Sequence, residues 1–151
     1  WKHGEAYTYD RDTFKKGATF TYSGEGWGLC HNGTELVMSD GSAHLTFRGP
    51  ETFRQVREVT VRDNGQPVDQ LNELECVGPY VYANIWQTDR IVKIDQKSGA
   101  VVATVDATGL LPAAERYGTD VLNGIAYDPS NDTFLITGKL WPRMFRVRFV
   151  P

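Results

Sequence analysis

Apolar and polar residues alternate over short segments along the whole chain, and turn residues (Gly, Asp, Asn and Pro) separate these segments. Alternation with a period of two is typical of strands that bury one face. No stretch holds a helical period. The best candidate, LLPAAERYG at residues 110–118, is short and ends in glycine, so we expect one turn inside a loop. The pattern predicts an all-β chain.

Three segments follow one plan and divide the chain into repeats. They are WGLCHNGTELVMSDG from Trp27, NELECVGPYVYANIW from Asn72 and NGIAYDPSNDTFLITGK from Asn123, and they begin 45 and 51 residues apart. Each contains a first strand, a turn and an apolar second strand. Four short strands with their turns need about 45 to 50 residues, which is the size of one β-propeller blade.

The remaining strands follow each repeat. Third strands are expected at residues 5–10, 43–48, 90–95 and 144–149, and fourth strands at 18–23, 57–62 and 101–106. The chain is therefore interpreted as a single domain of thirteen strands. It is divided into a half blade at 1–23, complete blades at 24–66 and 67–108, and a last blade without its fourth strand at 119–151.

A propeller closes with at least about four blades, so this array predicts an open, partial β-propeller of about three four-stranded blades. Open edges would leave backbone and apolar surface uncovered, which favours the interpretation that the chain is the C-terminal portion of a longer protein. A small β-sandwich is the alternative. It explains the alternation but not the blade-sized spacing.

Polar residues and a tryptophan stand where the inner strands begin. In a propeller the first strand of each blade lines the central channel, so Trp27, Asn72 and Asn123 should surround one mouth, where propellers bind ligands. For Asn72 or Asn123 alone, capping of an inner strand through a backbone hydrogen bond is the alternative. Two equivalent asparagines beside aromatic residues favour a site.

Three further residues are expected at the same level of the channel. Trp86 and Lys139 each end a second strand, and Trp1 precedes a third strand. Three tryptophans and a lysine would form a slot for a small polar ligand with an apolar stem. The alternative for Lys139 is an exposed lysine at a strand end. Trp141 is interpreted as a core-filling residue.

Composition narrows the classes of function. A net charge of −3 leaves no basic surface for nucleic acid, and no apolar run approaches the roughly 20 residues of a membrane span. The histidines His3, His31 and His44 lack ligand spacing, so neither a metal nor a cofactor is predicted. Two cysteines do not make a disulfide scaffold, and Cys30 and Cys76 are expected as free, buried thiols.

The motifs GEGWGL, MSDGS, LNELE, ANIWQTDRI, DVLNGIAYDP and TGKLWP occur in this order along essentially the whole chain. In them the chain resembles the plant-type glutaminyl-peptide cyclotransferases, also called glutamine cyclotransferases. The resemblance implies a five-bladed β-propeller, of which this chain would be about three-fifths. It also implies conversion of the N-terminal glutamine of peptides to pyroglutamate with release of ammonia.

The resemblance also implies roles for individual residues. Asn72 and Lys139 would be catalytic, as donors to the oxyanion, and tryptophans would pack on the glutamine stem. Asn123 is added because the repeat makes it equivalent to Asn72, so the predicted substrate-binding set is Trp1, Trp27, Trp86 and Asn123. The acid/base glutamate proposed for the family lies ahead of the position matching Trp1 and is not in this chain. Glu73 and Glu75 are expected to be its only local substitutes, with side chains directed away from Asn72.

By the same resemblance, the expected partners are peptides or proteins with an N-terminal glutamine. The complete protein is expected to be a monomer. It is also expected to be secreted or located in the cell envelope. Two alternatives remain open. One is a lactonase-like propeller hydrolase in which Asn72, Asn123 and a carboxylate hold Ca²⁺. The other is a propeller fragment that binds a peptide or a sugar without catalysis.

Overall fold

The computed structural model describes residues 1–150, which form fifteen strands, one 3₁₀ turn and no α-helix. Strands β1 (Glu5–Tyr9) and β2 (Lys16–Thr21) form a hairpin, and β7 (Arg62–Asp63) and β8 (Gln66–Pro67) form a second, very short one. The other strands form three antiparallel sheets in chain order. They are β3 (Gly28–His31), β4 (Leu36–Ser39), β5 (His44–Arg48) and β6 (Gln55–Thr60); β9 (Leu71–Val77), β10 (Tyr80–Ile85), β11 (Arg90–Asp95) and β12 (Val101–Asp106); and β13 (Leu122–Asp128), β14 (Thr133–Gly138) and β15 (Phe145–Val147).

The prediction of an all-β chain is confirmed, and none of the sheets is closed. Each expected strand is present within a few residues of its predicted bounds, and the expected turn is the 3₁₀ segment Ala113–Glu115. The β7–β8 hairpin was not predicted. Its Asn64-Gly65 turn has positive φ at both residues, as a tight two-residue hairpin turn requires. Within residues 1–150, no helix is long and apolar enough to cross a membrane.

The core consists of two apolar layers on either side of the β9–β12 sheet. One layer packs against the β3–β6 sheet and the other against the β13–β15 sheet. On β10, Val81, Ala83 and Ile85 enter the first layer and Tyr82 enters the second. A strand buried on both faces needs apolar side chains at consecutive positions, which accounts for the uninterrupted apolar run of this segment.

Cys30 on β3 and Cys76 on β9 form a disulfide, so the prediction of free thiols is wrong. The two inner strands lie next to each other and place the Cα atoms 5.6 Å apart, a separation that a disulfide requires. The number of cysteines carried no information about this proximity. The bond ties two neighbouring sheets together beside the first core layer.

The beginnings of β3 and β9 are in direct contact at Gly28. A Cβ atom on Gly28 would lie 2.2 Å from the Asn72 carbonyl oxygen, so only glycine permits this approach. The Ser39 hydroxyl donates to the same Asn72 oxygen at 2.6 Å and accepts the Gly28 N–H at 2.9 Å. These contacts fix Trp27, which precedes Gly28, beside the start of β9.

Candidate functional site

A cavity of about 630 Å³ lies where the inner strands β3, β9 and β13 begin. All six residues predicted for the site line it: Trp1, Trp27, Asn72, Trp86, Asn123 and Lys139. Its walls also include Lys2, Glu25, Gly26, Gln87, Asp120 and Val121. The structure thus brings the predicted residues together, while the chemical roles assigned to them stay predictions.

Tryptophans form the apolar wall of the cavity. The rings of Trp27 and Trp86 meet edge to face, with centroids 5.5 Å apart. The Trp27 ring also lies directly over Gly41, where a Cβ atom would come within 2.7 Å of ring carbons. Trp1 is 69% exposed, so most of its indole is open to solvent. Flat, partly exposed rings of this kind suit an apolar stem that carries a polar end.

The two asparagines differ in what their side chains do. The Asn123 amide oxygen accepts the Glu73 backbone N–H at 3.2 Å, so it bonds the neighbouring inner strand β9 and does not cap its own strand β13. Asn72 is 94% buried, since 6% of its surface is exposed, and its amide makes no hydrogen bond to any of residues 1–150. The amide atoms of Asn72 are not among the fully buried, unpartnered atoms of residues 1–150, so they are open to the cavity and free to bond a ligand.

Lys139 follows β14, and backbone hydrogen bonds hold it against the segment before β13. Its N–H donates to Val121 O at 2.9 Å, and its carbonyl accepts the Asp120 N–H at 2.9 Å. The side chain is exposed and forms no ion pair with residues 1–150. Trp141 lies outside this cavity and packs against the second core layer, in agreement with the core-filling interpretation.

Two carboxylates in the cavity, Glu25 and Asp120, were not predicted. The Glu25 Oε2 atom accepts the indole N–H groups of Trp1 and Trp27, each at 2.9 Å. The bond from Trp27 is the main cause that lowers the pKa of Glu25; the Trp1 bond and the positive charge of Lys2 lower it further, while partial burial opposes them. Glu25 is therefore ionised at neutral pH.

The sequence carried one signal for Glu25, which is the period of two continued from β3 into the loop before it. Glu25 stands two residues before Trp27 in the GEGWGL motif, and in an extended chain such residues share a side. Asp120 likewise stands three residues before Asn123, just ahead of β13. Both belong to loops that enter inner strands, and alternation within a strand makes no prediction for loop residues.

Comparison with known proteins bears on this site. The model of the glutamine cyclotransferase family matches residues 1–149. This chain belongs to that family. The glutaminyl-peptide cyclotransferase of Arabidopsis thaliana is 37% identical over 153 residues, which cover 98% of this chain and 48% of that protein. The crystal structure of the Myxococcus xanthus glutaminyl cyclase superimposes with a TM-score of 0.91 at 43% identity, and covers 98% of this chain and 65% of that one.

The resemblance stated from the motifs is thus confirmed, and neither the lactonase-like nor the non-catalytic alternative is favoured. The chain spans about half the length of the curated family member it matches. In the lactonase-like alternative, Asn123 would present its amide oxygen to Ca²⁺, whereas here that oxygen accepts a backbone N–H.

Glu73 and Glu75 are not among the residues that line the cavity, so they are not the nearest carboxylates to the predicted site. Glu75 accepts the Tyr127 N–H at 3.0 Å and thereby links β9 to β13. Burial raises the pKa of both glutamates, and the charge of Glu75 raises that of Glu73 further. The prediction that Glu73 and Glu75 are the only carboxylates local to the site is wrong, because Glu25 and Asp120 line the cavity.

Proposed function

We propose that the chain provides the substrate-binding face of a glutaminyl-peptide cyclotransferase, which converts the N-terminal glutamine of peptides or proteins to pyroglutamate. The observation that carries this proposal is the shared cavity. It gathers three tryptophans, the Asn72 amide and Lys139 in a chain of the glutamine cyclotransferase family. Family membership supports the reaction, and the cavity supports the residues.

In the proposed reaction, the substrate's α-amine nitrogen attacks the carbon of its own γ-amide. A carbon–nitrogen bond forms, the bond to the amide nitrogen breaks, and ammonia leaves with a proton that the amine has lost. The α-amine has a pKa of about 7.7 to 8.0, so a useful fraction is neutral near pH 7. Because nucleophile and electrophile share one residue, holding the bent rotamer supplies much of the rate.

The reaction sets three tasks, and the cavity residues suit the first two. The tryptophans Trp1, Trp27 and Trp86 pack on the glutamine stem and exclude water. The Asn72 amide and the Lys139 ammonium donate hydrogen bonds to the developing oxyanion. Protonation of departing ammonia is a carboxylic acid's task, and we assign it to the family's acid/base glutamate, which this chain does not carry.

We further propose that each of the three sheets is one blade of a five-bladed propeller, with the β1–β2 hairpin as half a blade. Coverage of 65% of the Myxococcus xanthus chain at a TM-score of 0.91 supports this proportion. The Cys30–Cys76 disulfide supports a secreted or envelope location, because such bonds persist in oxidising compartments. The complete protein is proposed to be a monomer.

Ammonia release from a glutaminyl dipeptide tests the function. The chain is assayed alone and fused to the remaining blades of the Myxococcus xanthus protein, with the N-acetylated dipeptide as a control that has no free amine. We expect release by the fusion and none from the control. Asn72→Ala in the fusion should lower kcat about a hundredfold or more. No release by the fusion would overturn the proposal.

A further inference from the structure

The Glu25 carboxylate uses only one of its two oxygens within the described residues. Oε2 accepts both indole N–H groups, from Trp1 and from Trp27, whereas Oε1 has no hydrogen-bond partner among residues 1–150. Two donors of fixed direction hold the carboxylate in one orientation at the cavity wall. The second oxygen is therefore an oriented, free acceptor beside the tryptophans.

The charge of Glu25 is not neutralised by an ion pair. The described residues form five salt bridges, and none includes Glu25. Lys2 is the side-chain cation of the cavity wall whose charge acts on the pKa of Glu25, but its Nζ lies over the Trp1 ring, 4.5 Å from the centroid. The carboxylate thus faces the cavity as an anion with room for a cation from outside the chain.

An oriented carboxylate with one free oxygen is a site for an organic ammonium ion. Such an ion donates charge-assisted hydrogen bonds to a carboxylate, and the indole N–H edges of Trp1 and Trp27 fix the direction of this one. We propose that Glu25 binds the α-amino group of the substrate peptide, with Trp1 and Trp27 as the rings beside it. Glu25 is then the residue that selects peptides with a free N-terminus.

This inference rests on the proposed function for the identity of the peptide, but the amine site is defined by its own residues. Glu25 is assigned binding and orientation of the amine rather than removal of its proton. A carboxylate that accepts two indole N–H bonds is a weak base, since those bonds stabilise its charge. Held at Glu25, the amine stays beside the tryptophans that pack on the glutamine stem.

Two ligands that cannot cyclise test the amine site in the fused protein. They are methioninamide and its des-amino counterpart, 4-(methylthio)butanamide, which have a stem of glutamine-like length and differ by one amino group. Binding is followed by quenching of indole fluorescence. We expect methioninamide to bind about tenfold to a hundredfold more tightly, the range of a charged hydrogen bond. Equal binding, or no binding of either ligand, would overturn the proposal.

The variant Glu25→Gln separates charge from positioning, because its amide oxygen can still accept both indole N–H groups. We expect it to abolish the preference for methioninamide while the far-UV spectrum and Tm stay close to those of the parent protein. Asp120→Asn, which removes the other carboxylate of the cavity, should keep the preference, and so should Glu51→Gln on the exposed loop before β6. A preference retained in Glu25→Gln, or lost in Asp120→Asn alone, would contradict the assignment.

Ammonia release distinguishes failure of this inference from failure of the reaction. A protein that prefers methioninamide through Glu25 but releases no ammonia has the amine site without the cyclase activity. A protein that releases ammonia while Glu25→Gln leaves both KM and the ligand preference unchanged has the activity without this site.

Discussion

Gly41 lies directly beneath the indole of Trp27, and a Cβ atom at Gly41 would come within 2.8 Å of three ring carbons. Gly41 also has a φ of +86°, a conformation that L-residues rarely adopt. Gly41→Ala should therefore lower the free energy of unfolding by about 1–2 kcal/mol. It should also displace the ring and lower kcat/KM in the fused protein by up to about a hundredfold.

Gly65→Ala is the matched control for this substitution. Gly65 has a nearly identical φ of +82°, but a Cβ atom there would meet no atom within 4 Å. We expect a smaller loss of stability, since the strain of a positive φ is present without the clash, and unchanged kcat/KM. Equal losses of kcat/KM in both variants would show that backbone strain, rather than the Trp27 contact, accounts for the effect.

The Cys30–Cys76 disulfide closes a loop across two neighbouring sheets, with the two residues 46 positions apart. Replacing both cysteines with alanine should lower the free energy of unfolding by about 2–5 kcal/mol. Denaturant unfolding of the parent protein and of the double variant, each with and without reductant, measures the difference. Reduction should destabilise the parent protein and leave the double variant unchanged. If reductant also destabilised the double variant, the loss of stability on reduction could not be assigned to the disulfide.

Glu73 is a half-buried carboxyl group next to Glu75. Burial and this neighbour raise the pKa of Glu73, so its ionisation opposes folding. The cost is present above the pKa of the folded state and disappears below the unfolded value of about 4.3. Glu73→Gln should raise Tm at pH 7 and leave it nearly unchanged at pH 3.5.

The exposed Glu51→Gln serves as the control for Glu73→Gln and should change Tm at neither pH. A gain of equal size at both pH values would assign the stabilisation to packing of the amide instead of removal of the charge. A loss at pH 7 would mean that the Glu73 carboxylate makes favourable contacts that outweigh its burial.

Alternation and spacing were sufficient for the strands because each repeat buries the same positions. β10 could be recognised from its apolar run, and β13 from the Asn123 repeat. The β7–β8 hairpin could not be recognised in this way, since two-residue strands have no period. Cys30 and Cys76 follow Trp27 and Asn72 by three and four residues. The disulfide forms because the two inner strands are adjacent, and the positions of the cysteines in the sequence do not show this adjacency.

The candidate site was predictable as far as it depends on strand positions. Residues at the starts of inner strands or the ends of second strands, such as Asn72 and Lys139, were found because the repeat aligns them. Glu25 was missed because its position depends on hydrogen bonds to Trp1 and Trp27. The period of two places Glu25 and Trp27 on one side, but the contact with Trp1, 24 residues away along the chain, depends on three-dimensional geometry.

Lys139 is the cation of the cavity assigned to the oxyanion, and its side chain forms no ion pair within residues 1–150. Lys139→Met retains the length of the stem and removes the charge. We expect kcat of the fused protein for a glutaminyl dipeptide to fall by about 10²–10³, the cost of losing one oxyanion donor, with little change in KM. Lys97→Met, on the exposed turn between β11 and β12, is the control and should leave both constants unchanged. Unchanged turnover in Lys139→Met would remove Lys139 from the mechanism and leave Asn72 as the donor to the oxyanion, whereas a rise in KM alone would make Lys139 a substrate-binding residue.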